Sequence, residues 1–230
     1  MNELWEQHMQ AVIACRKCPR LVEWREEVAR TRRRAYMDWE YWGKPVPGFG
    51  DRQARVLVVG LAPAAHGANR TGRNFTGDSS GDFLYRALYR AGFANQPTSR
   101  HRDDGLALEN MYIAAVCRCA PPANRPLPEE IANCQAFLDA ELDLLDGLEV
   151  IVTLGQIAFD NLLRLLRKRG HALPKLSFGH AKVYDLGEGL PRLVSSYHPS
   201  RQNTQTGRLT EAMFDQVWDR VKLLVDGRGE

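Results

Sequence analysis

Several common features are missing from this sequence, and each absence excludes a class of protein. No apolar run approaches the roughly 18 residues that a membrane-spanning helix needs, so we expect no membrane association. The usual glycine-rich signatures of dinucleotide sites and P-loop phosphate sites do not occur. The first stretch carries Glu3 and Glu6 and no cationic segment, so we expect a cytoplasmic protein without a secretory signal.

Cysteine is scarce, and its five positions do not form a disulfide framework for a cytoplasmic protein. A Cys15-x2-Cys18 pair is followed, far along the chain, by Cys117, Cys119 and Cys134. A close pair combined with a looser, distant set is the spacing of a four-thiolate metal site. Zinc and an iron–sulfur cluster both fit four thiolates, and one cysteine is left over. The alternative is that the thiols are unrelated core residues.

The composition is that of a soluble globular protein. Of the 230 residues, 44% are hydrophobic and 26% are charged, which is ordinary for such proteins. A chain of this length can bury one substantial core, so we expect residues 1–230 to form a single domain. A net charge of +3 and a pI near 8.6 permit a nucleic-acid partner without requiring one.

Four short apolar runs alternate with amphipathic helical segments. The runs cover 56–59, 112–116, 150–154 and 193–197, and their β-branched and aliphatic residues suit strands buried on both faces. This alternation predicts an α/β fold, a three-layer sandwich in which helices flank a central four-stranded, mainly parallel sheet. In such sheets ligands bind beyond the carboxyl ends of the strands.

Polar clusters follow three of the four predicted strands, over 60–78, 117–125 and 198–208. Because each cluster lies at the carboxyl end of its strand, we expect all three to converge on one binding crevice. Four residues could carry chemistry there, and each has a structural alternative. His198 could be a hydrogen-bonded loop residue and Asp78 a helix cap. Phe75 could be a core anchor and Asn124 a turn residue.

A cationic cluster at 30–34 precedes a group of aromatic residues, namely Tyr36, Trp39, Tyr41 and Trp42. Basic residues interleaved with aromatic ones can grip a nucleic-acid backbone and stack on its bases. The alternative is a solvated helix end followed by aromatic side chains that pack on the core.

Three stretches, in this order, resemble the motifs of the type-b (family 5) uracil-DNA glycosylases: GLAPAAHGANRTGRNFTGD, RCAPPANRPLPEE and SYHPSRQNTQTGRLT. Together with the cysteine pair, the resemblance extends from Cys15 to about Leu209. It implies the fold of the uracil-DNA glycosylase superfamily, a structural 4Fe–4S cluster and hydrolysis of the N-glycosidic bond of uracil in DNA. We therefore expect uracil-containing DNA as the partner, a monomer, and a place in a bacterial or archaeal cytosol or nucleoid.

The same resemblance implies roles for individual residues. The cluster ligands would be Cys15, Cys18, Cys119 and Cys134, with Cys117 left over. The residues matched to catalysis are Asp78, Asn124 and His198. The residues matched to base binding, among which Phe75 stacks on the extruded base, are Gly60, Leu61, Ala62, Pro63, Ala64, His66, Gly67, Phe75 and Ala115. The segment that meets DNA contains Ser200, Arg201, Gln202, Asn203 and Arg208.

Ala115 stands where the related type-a enzymes have an asparagine that reads uracil. An amide discriminates strongly, because a wrong base leaves it unpaired. With alanine we expect a more permissive site that accepts other deaminated bases such as hypoxanthine, as the resemblance to family 5 also implies. The alternatives are a strictly uracil-specific type-a-like enzyme, a non-catalytic nucleic-acid-binding module with structural zinc, and a small electron-transfer protein.

Overall fold

The computed structural model describes residues 2–227. The helices are α1 (Asn2–Ile13), α2 (Pro19–Thr31), α3 (Ala68–Thr71), α4 (Ser79–Ala91), α5 (Pro128–Leu144), α6 (Gln156–Lys168), α7 (Arg201–Gln205) and α8 (Glu211–Val225). The strands are β1 (Phe49–Gly50), β2 (Val56–Gly60), β3 (Met111–Ala115), β4 (Val150–Leu154), β5 (Lys182–Tyr184) and β6 (Arg192–Ser196). In this part of the chain, no helix combines the length and the apolar character needed to cross a membrane.

The six strands form one mixed sheet in the order β1-β3-β2-β4-β6-β5. The four central strands are parallel, and Gly60 of β2 pairs with Ala115 of β3 at their carboxyl ends. The edge strands β1 and β5 are antiparallel to their neighbours. The predicted α/β sandwich with a parallel four-stranded centre is therefore confirmed. The edge strand β1 was not predicted, because it has only two residues and neither is fully buried.

Helices cover both faces of the sheet and form two cores. Val56 and Val58 of β2 belong to the core shared with α4 and α8, whereas Leu57 belongs to the core shared with α1, α5 and α6. Trp218 of α8 and Phe159 of α6 are fully buried in the first and second core respectively. Burying a large apolar side chain contributes roughly 1.5–3 kcal/mol, so the two cores fix the sheet and, with it, the positions of the loops at its carboxyl edge.

Candidate active site

A cavity lies at the carboxyl edge of the parallel strands, and we call it the strand-edge cavity. Its volume is about 360 Å³, including the part open to solvent. It is lined by Gly60, Ala62, Pro63, Ala64, Ala68, Asn74, Phe75, Asp78, Ser80, Ala115 and His198. The predicted polar clusters at 60–78 and 198–208 both contribute to it. The cluster at 117–125 contributes no lining residue, so the predicted convergence holds for two clusters of three.

The loop after β2 contains main-chain N–H groups without partners. Two hydrogen bonds, to the carbonyl oxygens of Gly60 and Leu61, extend the β2–β3 pairing past the ends of the strands. Beyond them, the N–H groups of Ala62, Ala64 and Ala65 donate to no acceptor within residues 2–227. Unpaired donors beside a cavity can stabilise negative charge that develops inside it.

Phe75 packs against the end of β2. A Cβ atom at Gly60 would lie only 2.9 Å from Phe75 Cζ, so glycine is needed there. The φ angle of Phe75 is +51°, a left-handed value that costs a non-glycine residue about 1–3 kcal/mol. Gly81 of α4 is required as well, because a side chain there would collide with the carbonyl oxygen of Phe75. These contacts hold the ring at one position in the cavity wall.

A buried ion pair stabilises the strained segment around Phe75. Arg73 is 3% exposed and donates through Nη2 to both carboxylate oxygens of Asp104 at 2.8 Å. Its Nε donates to Thr76 Oγ1 at 2.9 Å. Removing one partner of a buried pair typically costs about 3–5 kcal/mol, because the remaining charge is left buried without a partner. Neither residue was predicted from the sequence to have a role here.

Asp78 caps α4 and also lines the strand-edge cavity. Its Oδ1 accepts hydrogen bonds from the main-chain N–H groups of Ser80 and Gly81, both at 3.0 Å. Its Oδ2 lies against Gly67, where any side chain would collide with it. Burial raises the pKa of Asp78 above its ordinary value, and the two main-chain hydrogen bonds partly oppose that rise. The capping role therefore occupies one oxygen and leaves the other available.

His198 reaches the cavity from the loop after β6. Its ring centroid lies 5.8 Å from that of Phe75, with the two planes inclined by 32°. Asn203 fixes the loop by donating from Nδ2 to the carbonyl oxygen of His198 at 2.8 Å. Burial lowers the pKa of His198 to about 4, so the imidazole is neutral at physiological pH. A neutral imidazole can still donate one N–H hydrogen bond.

Arg70 joins two cavity loops to the aromatic segment that follows the cationic cluster. Its guanidinium carbon lies 3.9 Å from the ring centroid of Tyr36 and 4.0 Å from that of Trp39. Its Nε donates to the carbonyl oxygen of His66 at 2.8 Å, and its Nη2 donates to that of Gly77 at 2.7 Å. Cation–π attraction to the two rings, whose planes are inclined by 74°, stabilises this buried guanidinium. For Tyr36 and Trp39, packing within the protein is therefore the better description.

Several residues matched to base binding or catalysis lie outside the cavity lining. Leu61, His66 and Gly67 belong to the loop after β2 but do not line the cavity. His66 is instead hydrogen-bonded through Nδ1 to Tyr41 Oη at 3.0 Å. Asn124 is exposed in the short 3-10 turn after β3 and does not line the cavity either.

Three lining residues were not identified from the sequence, namely Ala68, Asn74 and Ser80. Asn74 directly precedes Phe75, and a polar amide beside a candidate stacking residue was the available signal. Ala68 and Ser80 occupy the first turns of α3 and α4, and their residue types give no such signal.

The segment predicted to meet DNA forms α7 and the turn after it. Ser200 caps α7. Arg201, Gln202 and Arg208 are exposed, and the guanidinium carbon of Arg208 lies 4.7 Å from the ring centroid of Tyr197. Exposed arginines and a capped helix start, close in sequence to His198, are suited to contacting phosphate groups.

A second cavity, which we call the cysteine cavity, brings together four thiols from three separate segments. Its volume is about 270 Å³, and its lining includes Cys15, Cys18, Cys119 and Cys134. Cys117 is buried outside that lining. The two cavities share no lining residue.

Hydrogen-bond donors contact two of the four thiols in the cysteine cavity, those of Cys119 and Cys18. Arg25 is 2% exposed and donates from Nη1 to Cys119 Sγ at 2.9 Å and to the carbonyl oxygen of Cys15 at 3.3 Å. Asn133 Nδ2 donates to Cys18 Sγ at 3.5 Å. Such donors stabilise the thiolate form that binds metals. Within residues 2–227, no three Cys, His, Asp or Glu side chains are gathered closely enough to hold a single metal ion.

The class of protein can be identified from a comparison with known families, together with the sheet order and the strand-edge cavity. Residues 47–222 match the family profile described as the uracil DNA glycosylase superfamily. That match covers more than half of the chain. The protein belongs to the uracil-DNA glycosylase superfamily.

Several individual members of this superfamily are similar to the chain over nearly its whole length. The chain is 53% identical over 214 residues to the Type-5 uracil-DNA glycosylase of Mycobacterium bovis, a match that covers 93% of this chain and 79% of that protein. It is 52% identical over 219 residues to the Type-5 enzyme of Thermus thermophilus, covering 95% and 97%. It is 44% identical over 217 residues to that of Pyrobaculum aerophilum, covering 94% and 92%. The superfamily expected from the motifs is confirmed, and these relatives carry the Type-5 name.

Proposed function

We propose that this protein is a DNA-repair enzyme that hydrolyses the N-glycosidic bond of uracil in DNA. The observation that carries the proposal is one cavity lined by a fixed aromatic ring, a buried carboxylate and a neutral imidazole, beside a loop with unpaired main-chain N–H groups. The side chains are Phe75, Asp78 and His198. The names of the Type-5 relatives support the same activity.

The target base must leave the DNA stack to enter the strand-edge cavity. Extrusion costs a few kcal/mol and is least costly at a mismatched or damaged position. Stacking of the base on Phe75 returns about 1–3 kcal/mol of that cost. The free-energy cost of the left-handed backbone at Phe75 is incurred when the protein folds. The stacking surface is therefore in place before DNA binds.

Negative charge builds on the departing base as the glycosidic bond breaks. The unpaired N–H groups of Ala62, Ala64 and Ala65 and the imidazole of His198 are the donors for that charge. Because its pKa is about 4, His198 keeps the neutral, donating form throughout the physiological pH range.

Asp78 supplies a carboxylate for the sugar side of the bond. Its Oδ1 is held by the α4 cap, which orients the group, and its Oδ2 is left for a water molecule. A carboxylate there orients the attacking water and favours the positive charge that develops on the sugar. The raised pKa also makes Asp78 a better proton acceptor than an ordinary aspartate.

The proposed activity extends to other deaminated bases, with hypoxanthine as the test case. Ala115 ends β3 and lines the cavity where an amide would read one base edge. With alanine, a base of different outline does not leave a buried donor unpaired, so the site tolerates it. The alternative is a strictly uracil-specific enzyme.

We also propose that the cysteine cavity holds a 4Fe–4S cluster. A single zinc ion binds sulfur at about 2.3 Å and needs its ligands gathered tightly around one point. Four thiols that line one cavity without being gathered at a single point suit a larger cluster better. Arg25 would donate a hydrogen bond to one ligand sulfur, as is common around such clusters. When bound, the cluster ties the N-terminal segment to the β3–α5 loop and to α5, which is a structural role. The proposed ligands are Cys15, Cys18, Cys119 and Cys134.

DNA contact is proposed for α7 and the turn after it, through Ser200, Arg201, Gln202, Asn203 and Arg208. We also propose that the protein acts as a monomer, as the family resemblance implies. A contribution of Asn124 to catalysis is a separate proposal, because this exposed residue is outside the cavity lining. A rate of base release unchanged in Asn124→Ala would remove it.

Base release from defined DNA tests the proposed function. Duplexes with one uracil or one hypoxanthine are incubated with excess protein, and the free base is measured by chromatography. We expect both bases to be released, and Ala115→Asn to retain uracil release while losing most hypoxanthine release. Ala212→Asn, an exposed change on α8, is the matched control and should alter neither. Uracil release without hypoxanthine would identify the strictly uracil-specific alternative, and DNA binding without release would identify a binding module.

A further inference from the structure

We propose that Asn74 reads the ring N–H that deamination creates, and thereby distinguishes deaminated bases from the cytosine and adenine from which they derive. The inference rests on the proposed function and names the substrate feature that the strand-edge cavity recognises. Asn74 lines that cavity, directly precedes the stacking residue Phe75 and is 3% exposed.

The orientation of the Asn74 amide is set by its neighbour. Nδ2 donates to the carbonyl oxygen of Pro47 at 2.8 Å. A carbonyl oxygen can only accept, so the NH₂ end of the amide must face Pro47 and the oxygen must face away. Tyr85 Oη donates to the main-chain carbonyl of Asn74 at 3.0 Å and holds the backbone at the same residue.

The amide oxygen of Asn74 is available as an acceptor. No donor within residues 2–227 is hydrogen-bonded to Oδ1. Several buried side-chain polar atoms in residues 2–227 are sealed from solvent and have no partner, but Asn74 Oδ1 is not one of them. This oxygen is therefore still accessible. A residue that is almost wholly buried, yet keeps a reachable acceptor beside a cavity, is suited to a ligand N–H group.

Deamination produces that N–H group. Cytosine and adenine carry an acceptor nitrogen in the ring next to an exocyclic amino group. Uracil and hypoxanthine carry a ring N–H next to a carbonyl instead. One acceptor in the cavity therefore favours both deaminated bases and disfavours both parent bases, whose ring nitrogen would face the amide oxygen with no proton between them. This distinction does not require an amide side chain at position 115, so the cavity can still accept bases of different shape.

A double comparison of substrate and variant tests the contact. Duplexes carry uracil or N3-methyluracil, in which a methyl group replaces the proton, and release is measured in single turnovers. With the unmodified protein we expect N3-methyluracil to be released at least about 100-fold more slowly than uracil. In Asn74→Ala we expect uracil release to fall and the ratio between the two substrates to shrink at least about 10-fold.

Asn95→Ala is the matched control. The Asn95 amide also anchors main chain, donating to the carbonyl oxygen of Gly105 at 2.9 Å and accepting from the N–H of Ala107 at 2.8 Å, but it lies outside the cavity lining. A role of Asn74 in anchoring the chain alone would slow both substrates equally and leave the ratio unchanged, as we expect for Asn95→Ala.

Two outcomes would overturn the inference. One is release of N3-methyluracil by the unmodified protein as fast as uracil, which needs no variant to fold. The other is an unchanged substrate ratio in a folded Asn74→Ala protein. Either result leaves the proposed function intact as long as uracil itself is released. Absence of uracil release from the unmodified protein would reject the proposed function itself.

Discussion

The strand-edge cavity and the cysteine cavity are similar in volume, about 360 and 270 Å³, but they are assembled differently. The first is built by sheet topology, because its walls are the ends of neighbouring parallel strands and the loops that follow them. The second is built by side chains from distant parts of the sequence, which meet outside the sheet. Backbone geometry determines the first cavity, and four sulfur atoms with their donors determine the second.

The two cavities are expected to have different roles, with base release in the strand-edge cavity and stability in the cysteine cavity. The strand-edge cavity contains a carboxylate and a neutral imidazole, those of Asp78 and His198, and adjoins unpaired main-chain donors. The thiols of the cysteine cavity already have donor partners such as Arg25. Substitutions in the first cavity should therefore change the rate of base release with little change in stability, and substitutions in the second should do the reverse.

The largest effect is expected for Asp78→Asn. Loss of the carboxylate should lower the single-turnover rate of uracil release by about 10²–10⁴-fold. Asparagine is also a good N-cap, so the melting temperature should stay nearly constant. Asp219→Asn, an exposed change on α8, is the control. An undiminished rate in Asp78→Asn would place the chemistry elsewhere.

His198→Ala should lower the same rate by about 10²–10³-fold, as expected for the loss of one donor to developing negative charge. His171→Ala, at a histidine outside both cavities, should leave the rate unchanged. If both histidine variants lost activity equally, the loss would reflect general destabilisation.

Cys119→Ser tests the expected role of the cysteine cavity in stability. Because the proposed 4Fe–4S cluster would lose one ligand, we expect this variant to lack iron and visible absorption and to melt roughly 10 °C lower than the unmodified protein. Each kcal/mol lost lowers the melting temperature by about 2–4 °C in a chain of this size. Cys117→Ala, at the neighbouring thiol outside the cavity lining, should retain iron. Equal iron content in both variants would argue against the proposed ligand set.

The smallest effect concerns stability against pH. Because folding lowers the pKa of His198 from 6.5 to about 4, the unfolded chain binds a proton that the folded protein excludes over this interval. The free energy of unfolding should therefore fall by about 1–3 kcal/mol as the pH drops from 6.5 to 4. Denaturant titrations of the unmodified protein and of His198→Gln would measure the difference. Identical pH profiles would mean that His198 is not buried in the neutral form.

The sequence predicted those parts of the molecule that follow from local pattern. The four central strands were recognisable because all but one of their residues, Arg192, are buried. The helix cap at Asp78 was recognisable from its position ahead of an apolar face. The edge strand β1 was not, because a partly exposed strand of two residues has no distinctive pattern.

The remaining features depend on contacts between distant segments. The Arg73–Asp104 pair joins residues 31 positions apart, and neither residue type marks its partner. The left-handed backbone of Phe75 is maintained by neighbours such as Gly81, which no local pattern specifies. The exposed position of Asn124 and the amide orientation of Asn74 likewise depend on how loops pack after the sheet has formed.

The most direct test of the central claim is to follow oxygen from water labelled with its heavy isotope during reaction with uracil-containing DNA. Hydrolysis in the strand-edge cavity predicts free uracil without label, an abasic sugar that carries one labelled oxygen, and an unbroken strand until alkali is added. Strand cleavage before alkali treatment, or DNA that is bound and returned unchanged, would contradict the account.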